Sequence, residues 1–450
     1  MNNFLFKKVE FWIVGLLTIF FIVLIIFVSG VLRDAYLSKN KTPKLIREFL
    51  ISVAELPKNI YRVSRHLTVD TNKPPLLTKH KDKKKFEKFI NNKRDGLLVL
   101  PRYDHSLSRS VVDIIDLNNF KIIHTYKHNI SEMNKQVQNI EEFPRLNVDN
   151  TPIRFRYLHP VILDDGSLIS DSSGPEFKID FCSNLKWIND EEVFHHSKEL
   201  DHEKNIWVVG HLRPHSEYMK KLVSKTVNDD AIIKINSEGK ILYKKSVNEI
   251  LIENKKGDMI NQLSYLNLDP IHVNDIEPAL SDSEYWKKGD VFISARYLSA
   301  IIHYRPSTNK VINYITGPFA QQHDVNIISE KEISIFNNNN FIEDNEYSEV
   351  LIYNFMTNKF KKLFNDQLQK ENFKTYSEGL SHILNDGALM VEEQNHGRII
   401  LFNNKGEKEW EYVNIDDNGE IGLVVWSRIV EDELFIKKFK LLVETNKCTN

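Results

Sequence analysis

Cysteine, glycine and proline are scarce in this chain, and neither sign of charge is in excess. Its 450 residues contain two cysteines, Cys182 and Cys448, which excludes a disulfide scaffold and any cysteine-rich zinc or iron–sulfur site. Whether the two pair is left open by the sequence. Sixteen glycines and fourteen prolines are too few for collagen-like or low-complexity chains. Sixty basic and 62 acidic side chains leave a net charge of −2, so nothing draws the whole chain toward nucleic acid. The H-E-x-x-H, Walker, G-x-G-x-x-G and G-x-S-x-G patterns are missing, and with them the support for metal-hydrolase, nucleotide-binding and serine-hydrolase chemistry. What is present is a 41% hydrophobic, 11% aromatic composition, ample for a large core.

Charge is also missing from one long stretch. Phe11 to Leu32 contains no ionisable side chain, and its 22 residues would cover about 33 Å as a helix, enough to cross a bilayer. A cleaved signal has a shorter apolar run and a small-x-small site, whereas SGVLRDAYL follows here. This stretch is therefore expected to be a single-pass anchor. Lys7 and Lys8 precede it, while Arg33, Lys39, Lys41, Lys44 and Arg47 follow, so flanking cations alone would favour a cytoplasmic C-terminal side. Residues Thr42 to Val63 have apolar positions at helical spacing, suited to a bilayer surface or a bridge. Lys79 to Arg94 is strongly basic and reads as a solvated linker, with contact to anionic lipid as the sharper alternative. The expected organisation is a tail at 1–10, a membrane helix at 11–32, a helical and basic linker at 33–95 and one β domain at 96–445.

From Gly96 onward short β-type runs alternate with tight-turn signals such as LDDGSL, NSEGK, MTNK and LNDGAL. Six such units with a period in the forties to fifties of residues predict an all-β, six-bladed propeller, with Leu423 to Lys440 supplying a strand that closes the ring. A sandwich of hairpins is the competing fold, but it gives no reason for units of similar length.

Histidine recurs at one place in the repeat. His159, His196, His272, His323 and His382 each fall early in a unit's first strand, ahead of a turn and the second strand. First strands of propeller blades run along the central channel, so these imidazoles are expected to converge. A lone strand histidine is usually structural, and repeats can copy a structural role. Five convergent titratable groups in one cavity are nonetheless the usual mark of a site. Such a ring could also hold a divalent metal, although nearby carboxylates are few, with Asp275 and Asp324 as candidates that strand alternation would turn away.

The stretch from IHVNDIEPAL through GDVFISARYL to QQHDVNIISEKEISIFNNNN resembles the arylsulfotransferase family. Its pattern of His-x-Asn, Ser-x-Arg and Gln-His-Asp appears as His272 and Asn274, Ser294 and Arg296, and Gln322, His323 and Asp324. The family's usual Asp-Asn-Gly after Gln-His is replaced by Asn337 to Asn340. The resemblance implies a six-bladed propeller on the periplasmic side, hence a cytoplasmic N-terminus. It also implies transfer of a sulfuryl group from a phenolic sulfate ester to a hydroxyl acceptor. By this resemblance His323 is the nucleophile that becomes sulfated, His272 and Arg296 contact the sulfuryl group, and Asn274 lies beside them. His195 or His196 is the remaining channel histidine, with His196 and His382 as substrate-binding candidates. No metal or organic cofactor is implied. The residue types suit the chemistry independently. A neutral imidazole can attack sulfur, a second can protonate the leaving phenolate, and a guanidinium fork meets sulfuryl oxygens in a way lysine does not.

Two other functions fit parts of the same sequence. A non-catalytic propeller would bind a glycan or protein through loops such as Glu277 to Lys288 or Asn365 to Tyr376, and a metal-dependent lyase or hydrolase would use the histidine ring directly.

Overall fold

The computed structural model describes residues 10–37, 43–68, 77–144, 146–222, 228–258, 260, 269–340, 347–446 and 448. The chain divides into two compact units, Met1–Asp70 and Thr71–Asn450.

The first unit holds two helices, α1 (Phe11–Leu37) and α2 (Lys44–Thr68). Within α1, Phe11–Arg33 is long and apolar enough to span a membrane, and its side chains are not covered by protein. Helix α2 is longer than the periodicity predicts and carries Pro57 in its interior. Its Leu45, Phe49, Val53, Leu56 and Ile60 recur at helical spacing and are all exposed, an apolar stripe left uncovered. Lys7, Lys8, Lys39 and Lys41, which enter the orientation argument, lie outside the described residues.

The second unit is all-β and propeller-like. In chain order its strands are β1 (Phe86–Lys88), β2 (Leu97–Asp104), β3 (Arg109–Asp116), β4 (Lys121–Tyr126), β5 (Leu158–Ile162), β6 (Leu168–Asp171), β7 (Gly174–Ile179) and β8 (Leu185–Leu200). Then come β9 (Ile206–His211), β10 (Asp230–Ile235), β11 (Ile241–Ser246), β12 (Val273–Pro278), β13 (Val291–Ala295), β14 (Ala300–Arg305), β15 (Lys310–Ile315) and β16 (His323–Ser329). The last are β17 (Glu332–Asn337), β18 (Glu349–Asn354), β19 (Lys359–Leu363), β20 (Leu380–Ile383), β21 (Leu389–Glu393), β22 (Arg398–Phe402), β23 (Lys408–Val413) and β24 (Arg428–Val430).

Four antiparallel sheets have the form of blades: β24-β2-β3-β4, β12 to β15, β16 to β19, and β20 to β23 with β1 added at the edge. The fifth sheet runs through seven strands, β5 to β11, joined by the 16-residue β8. Apart from the added β24 and β1, successive strands of each sheet are neighbours, joined by tight turns where the backbone enters the left-handed region, as at Gly166, Gly239, Gly387 and Gly406.

Apolar clusters lie between successive sheets. One packs Leu98 and Leu100 of β2 against Met390, Ile399 and Trp410 of the last sheet, so the ends of the chain meet. Closure is also made by backbone hydrogen bonding, since Arg428–Val430 pairs antiparallel with Leu97–Val99. The closing strand is much shorter than the expected Leu423–Lys440. Asp432 ends it by capping a helix, Glu433–Thr445, accepting from the Phe435 N–H at 2.7 Å. That helix buries Phe439 against His124 and Phe181. Beyond it Cys448 forms a disulfide with Cys182, settling the pairing and fastening the C-terminus to the β7–β8 turn.

The basic run at 79–94 is not a freely solvated linker. Lys79 and His80 pair with buried Glu393, the latter at 2.8 Å, and Lys83 pairs with Glu411 at 3.2 Å. Arg94 reaches Glu409 at 3.0 Å, and β1 adds to β23. Acidic residues of β21 and β23 attract this segment, so it belongs with the β unit that was expected to begin at residue 96.

Candidate functional site

The inner strands that carry the histidines are not regular. Pairing slips between Leu158 and Val161, between His195 and Lys198, between Val273 and Asp275, and between His323 and Val325. At these slips His159, His196, His272 and Asp324 have positive φ, between 43° and 58°. A bulge leaves one residue out of the ladder and redirects its side chain, and side chains other than glycine enter this region rarely. The repeat therefore copies a backbone device as well as a residue.

Three of the five histidines come together. His196 Nε2 lies 3.3 Å from His272 Nε2, and the rings of His196 and His323 are 6.3 Å apart. His323 is buried and held on both sides. Its Nδ1 is 2.6 Å from Asn338 Oδ1. The Asn338 amide donates to the carbonyls of Thr375 and Glu378 at 3.0 and 2.9 Å, which leaves its oxygen to accept from His323. Nδ1 thus carries the proton, and Nε2 is the lone-pair nitrogen that accepts from the Glu378 N–H at 3.1 Å. Burial first, then the Arg296 charge, push the His323 pKa down to about 3. Burial and the neighbouring imidazoles hold His196 well below its ordinary value as well. Both are neutral rings near pH 7.

His272 hydrogen-bonds Asp269 through Nδ1 and packs on Tyr297, with ring centroids 5.0 Å apart. Arg296 follows β13 in a short 3-10 turn and donates its N–H to the His272 carbonyl at 3.0 Å. Its guanidinium lies over Tyr297 and donates one N–H to Gln321 Oε1 at 3.0 Å. Its Nε is buried without a hydrogen-bond partner. A fixed cation with donors to spare beside neutral imidazoles is an environment for a tetrahedral oxyanion.

The other expected residues stand elsewhere. Asn274 is fully buried, and its amide donates to the Gln322 carbonyl at 2.8 Å, so it ties β12 to the residue before His323. His382 sits on regularly paired β20 and is pushed down to about 4 by burial and by Arg428, a different cation from the one beside His323. The left-handed position of that sheet is occupied by Glu378 and Gly379 instead. His159 accepts from the Lys198 N–H at 2.9 Å and packs on Trp426, a structural arrangement. His195 packs on His211, with ring centroids 4.2 Å apart, and on His196 at 4.8 Å.

Sequence reasoning missed Asn338, Asp269, Tyr297 and the Glu378 N–H. The run Asn337 to Asn340 was the visible signal. Asn338 orients the histidine, while Asn337 accepts from Ala320 N–H at 3.0 Å and Asn339 donates to the Tyr347 carbonyl at 3.1 Å.

The second unit is thus a propeller-like domain with a histidine and arginine cluster where its inner strands converge. The model of the arylsulfotransferase (ASST) family matches residues 159–415, and the chain belongs to that family. No curated protein matches the chain. Among solved structures, a protein of unknown function from Bacteroides caccae is 10% identical over 75% of this chain and 100% of its own, with a TM-score of 0.48. A streptogramin B lyase is 10% identical over 77% of this chain and 97% of its own, with a TM-score of 0.38. Virginiamycin B lyase from Staphylococcus aureus is 12% identical over 56% of this chain and 69% of its own, with a TM-score of 0.34.

Proposed function

We propose that this protein is a membrane-anchored sulfotransferase that moves a sulfuryl group from a phenolic sulfate ester to a hydroxyl acceptor through His323. Family membership supports sulfuryl transfer. The observation that carries the residue assignment is the meeting of neutral His196 and His323 with His272 and Arg296, from strands far apart in sequence.

In the first half-reaction the His323 Nε2 lone pair, released from the Glu378 N–H, attacks sulfur. The bond from sulfur to the aryl oxygen breaks, and the electron pair leaves as phenolate. His272 supplies the proton to that oxygen, while Asp269 on its Nδ1 side compensates the positive charge the ring carries beforehand. Arg296 faces the sulfuryl oxygens with its Nε. In the second half-reaction the acceptor hydroxyl loses its proton to His272, its oxygen bonds to sulfur, and the nitrogen–sulfur bond breaks. Asn274 acts by positioning Gln322 and His323.

The domain carrying this site is read as six blades, the seven-stranded sheet being two blades that share β8. In support, one apolar cluster lies inside that sheet, between Ile169 of β6 and Ile233 of β10, much as others lie between separate sheets. Helix α1 is read as the anchor, with α2 laying its exposed apolar stripe in the membrane surface. The β unit is placed on the extracytoplasmic side, which the Cys182–Cys448 disulfide favours.

Incubation of the full chain with a chromogenic aryl sulfate and a phenol tests the proposal. Phenol-dependent release of the chromophore and an acid-labile sulfated His323 by mass spectrometry are expected. Inactivity across a broad panel of sulfate esters overturns it in favour of a binding propeller.

A further inference from the structure

Beside the sulfuryl site lies a second cluster that the proposed reaction does not use. His195 is on β8, His211 ends β9 and Asp230 begins β10, three neighbouring strands of one sheet. Asp230 is paired directly across from His211, and His211 is paired across from Val193 on β8. His195 is two residues along from Val193, so strand alternation brings all three side chains to one face. His211 Nε2 is 3.1 Å and His195 Nε2 is 3.9 Å from the same oxygen, Asp230 Oδ1.

These contacts leave polar atoms unsatisfied. His195 is 6% and Asp230 0% exposed, and His195 Nε2 and Asp230 Oδ1 are both buried with no hydrogen-bond partner. Buried orphans of this kind call for a missing ligand, because buried polar atoms in folded proteins are almost always paired. The second carboxylate oxygen accepts a long hydrogen bond from the Val273 N–H at 3.4 Å.

We infer that His195, His211 and Asp230 bind a divalent transition-metal cation of the zinc type. All three ligand atoms lie within 4.8 Å of one another. Zinc binds imidazole nitrogen and carboxylate oxygen at about 2.0–2.2 Å, which sets neighbouring ligand atoms of a tetrahedral site roughly 3.4 Å apart. The observed 3.1 and 3.9 Å bracket that spacing. Two imidazoles and one carboxylate select zinc or a neighbouring first-row cation over calcium or magnesium, and they leave a fourth position for water. The cation takes no part in the sulfuryl transfer. It fastens β8, β9 and β10 at the bulge that carries His196, and so positions that imidazole. This site does not depend on the transfer chemistry, and an inactive protein could still contain it.

The test uses the full chain, stripped of metal with a chelator and titrated with Co2+ as a spectroscopic probe. Visible absorption bands saturating at about one equivalent are expected, displaced by Zn2+. His211→Ala and Asp230→Asn should weaken binding at least tenfold, whereas Asp416→Asn, in a separate, partly exposed cluster with His105 and Glu420, should leave it unchanged. If a variant fails to fold, the wild-type melting temperature decides. A saturable rise with Zn2+, reversed by chelator, supports the site, and no rise overturns it. Binding undiminished in both folded variants also overturns it.

Discussion

The histidine end of the inner strands and the buried carboxylates beyond it, Asp275 and Asp324 on inner strands and Glu392 on β21, differ in how their polar atoms are engaged. Asp275 accepts from the Val325 N–H at 2.6 Å, Asp324 from Ser381 at 2.8 Å, and Glu392 from Trp426 and Ser427 at 2.7 Å. Each carboxyl thereby links its own sheet to the inner strand of the next. Burial pushes Asp275 and Glu392 up to about 7, just as it pushes His323 down to about 3. A perturbed pKa therefore does not by itself separate a reactive site from a structural one. Saturation does: the carboxyls hold backbone donors of neighbouring sheets, whereas Arg296 has an unused buried donor and His196 and His272 pair with each other.

Substitutions on the two sides should separate activity from stability. His323→Asn should reduce transfer by roughly 10⁴-fold or more, with the circular dichroism spectrum unchanged. Loss of fold in that variant would make His323 structural, like the carboxyls. Arg296→Lys keeps the charge but loses the guanidinium fork, and about 10²-fold lower kcat/KM is expected. Equal rates would show that charge alone is required. Opening the disulfide by Cys182→Ser with Cys448→Ser should cost about 2–4 kcal/mol in denaturant titration and leave kcat/KM intact.

The smallest effect concerns pH. His323 is neutral when folded and titrates near 6.5 when unfolded, so below that value the unfolded chain binds more protons. Its contribution to stability is lost as pH falls from about 6.5 toward 3. Asp275 behaves in the opposite sense. Its folded pKa of about 7 exceeds the unfolded 3.8, so the folded state binds more protons in between and stability falls as pH rises through that window. Between pH 4 and 7 the melting temperature of Asp275→Asn should rise more with pH, or fall less, than that of the wild type. An unchanged slope would mean that Asp275 is ionised in the folded protein.

Much of the strand pattern was legible because hairpin turns announce themselves through asparagine, aspartate and glycine. The three clustered histidines were legible because the repeat places them alike, and Arg296 because it follows Ser-x-Arg. His382 shared the pattern but not the bulge, and a bulge depends on hydrogen bonding to the next strand rather than on one residue's identity. The C-terminal helix was read as strand because Leu434 to Lys440 is apolar enough for either. Asp432, as its cap, decided the matter. The basic segment looked solvated because its acidic partners, Glu393, Glu409 and Glu411, lie some three hundred residues away.

What the amino-acid order determined alone was local: an uncharged apolar helix, the alternation of strand and turn, and the spacing of imidazoles through the repeats. Tertiary structure alone decided what each imidazole does. Asn338 sets the His323 tautomer, Asp269 backs His272, and His211 and Asp230 engage His195, whose ring also touches His196. The reason is physical: a buried ring's protonation and reactivity follow from the donors, acceptors and charges around it, and in this fold those arrive from other strands and sheets.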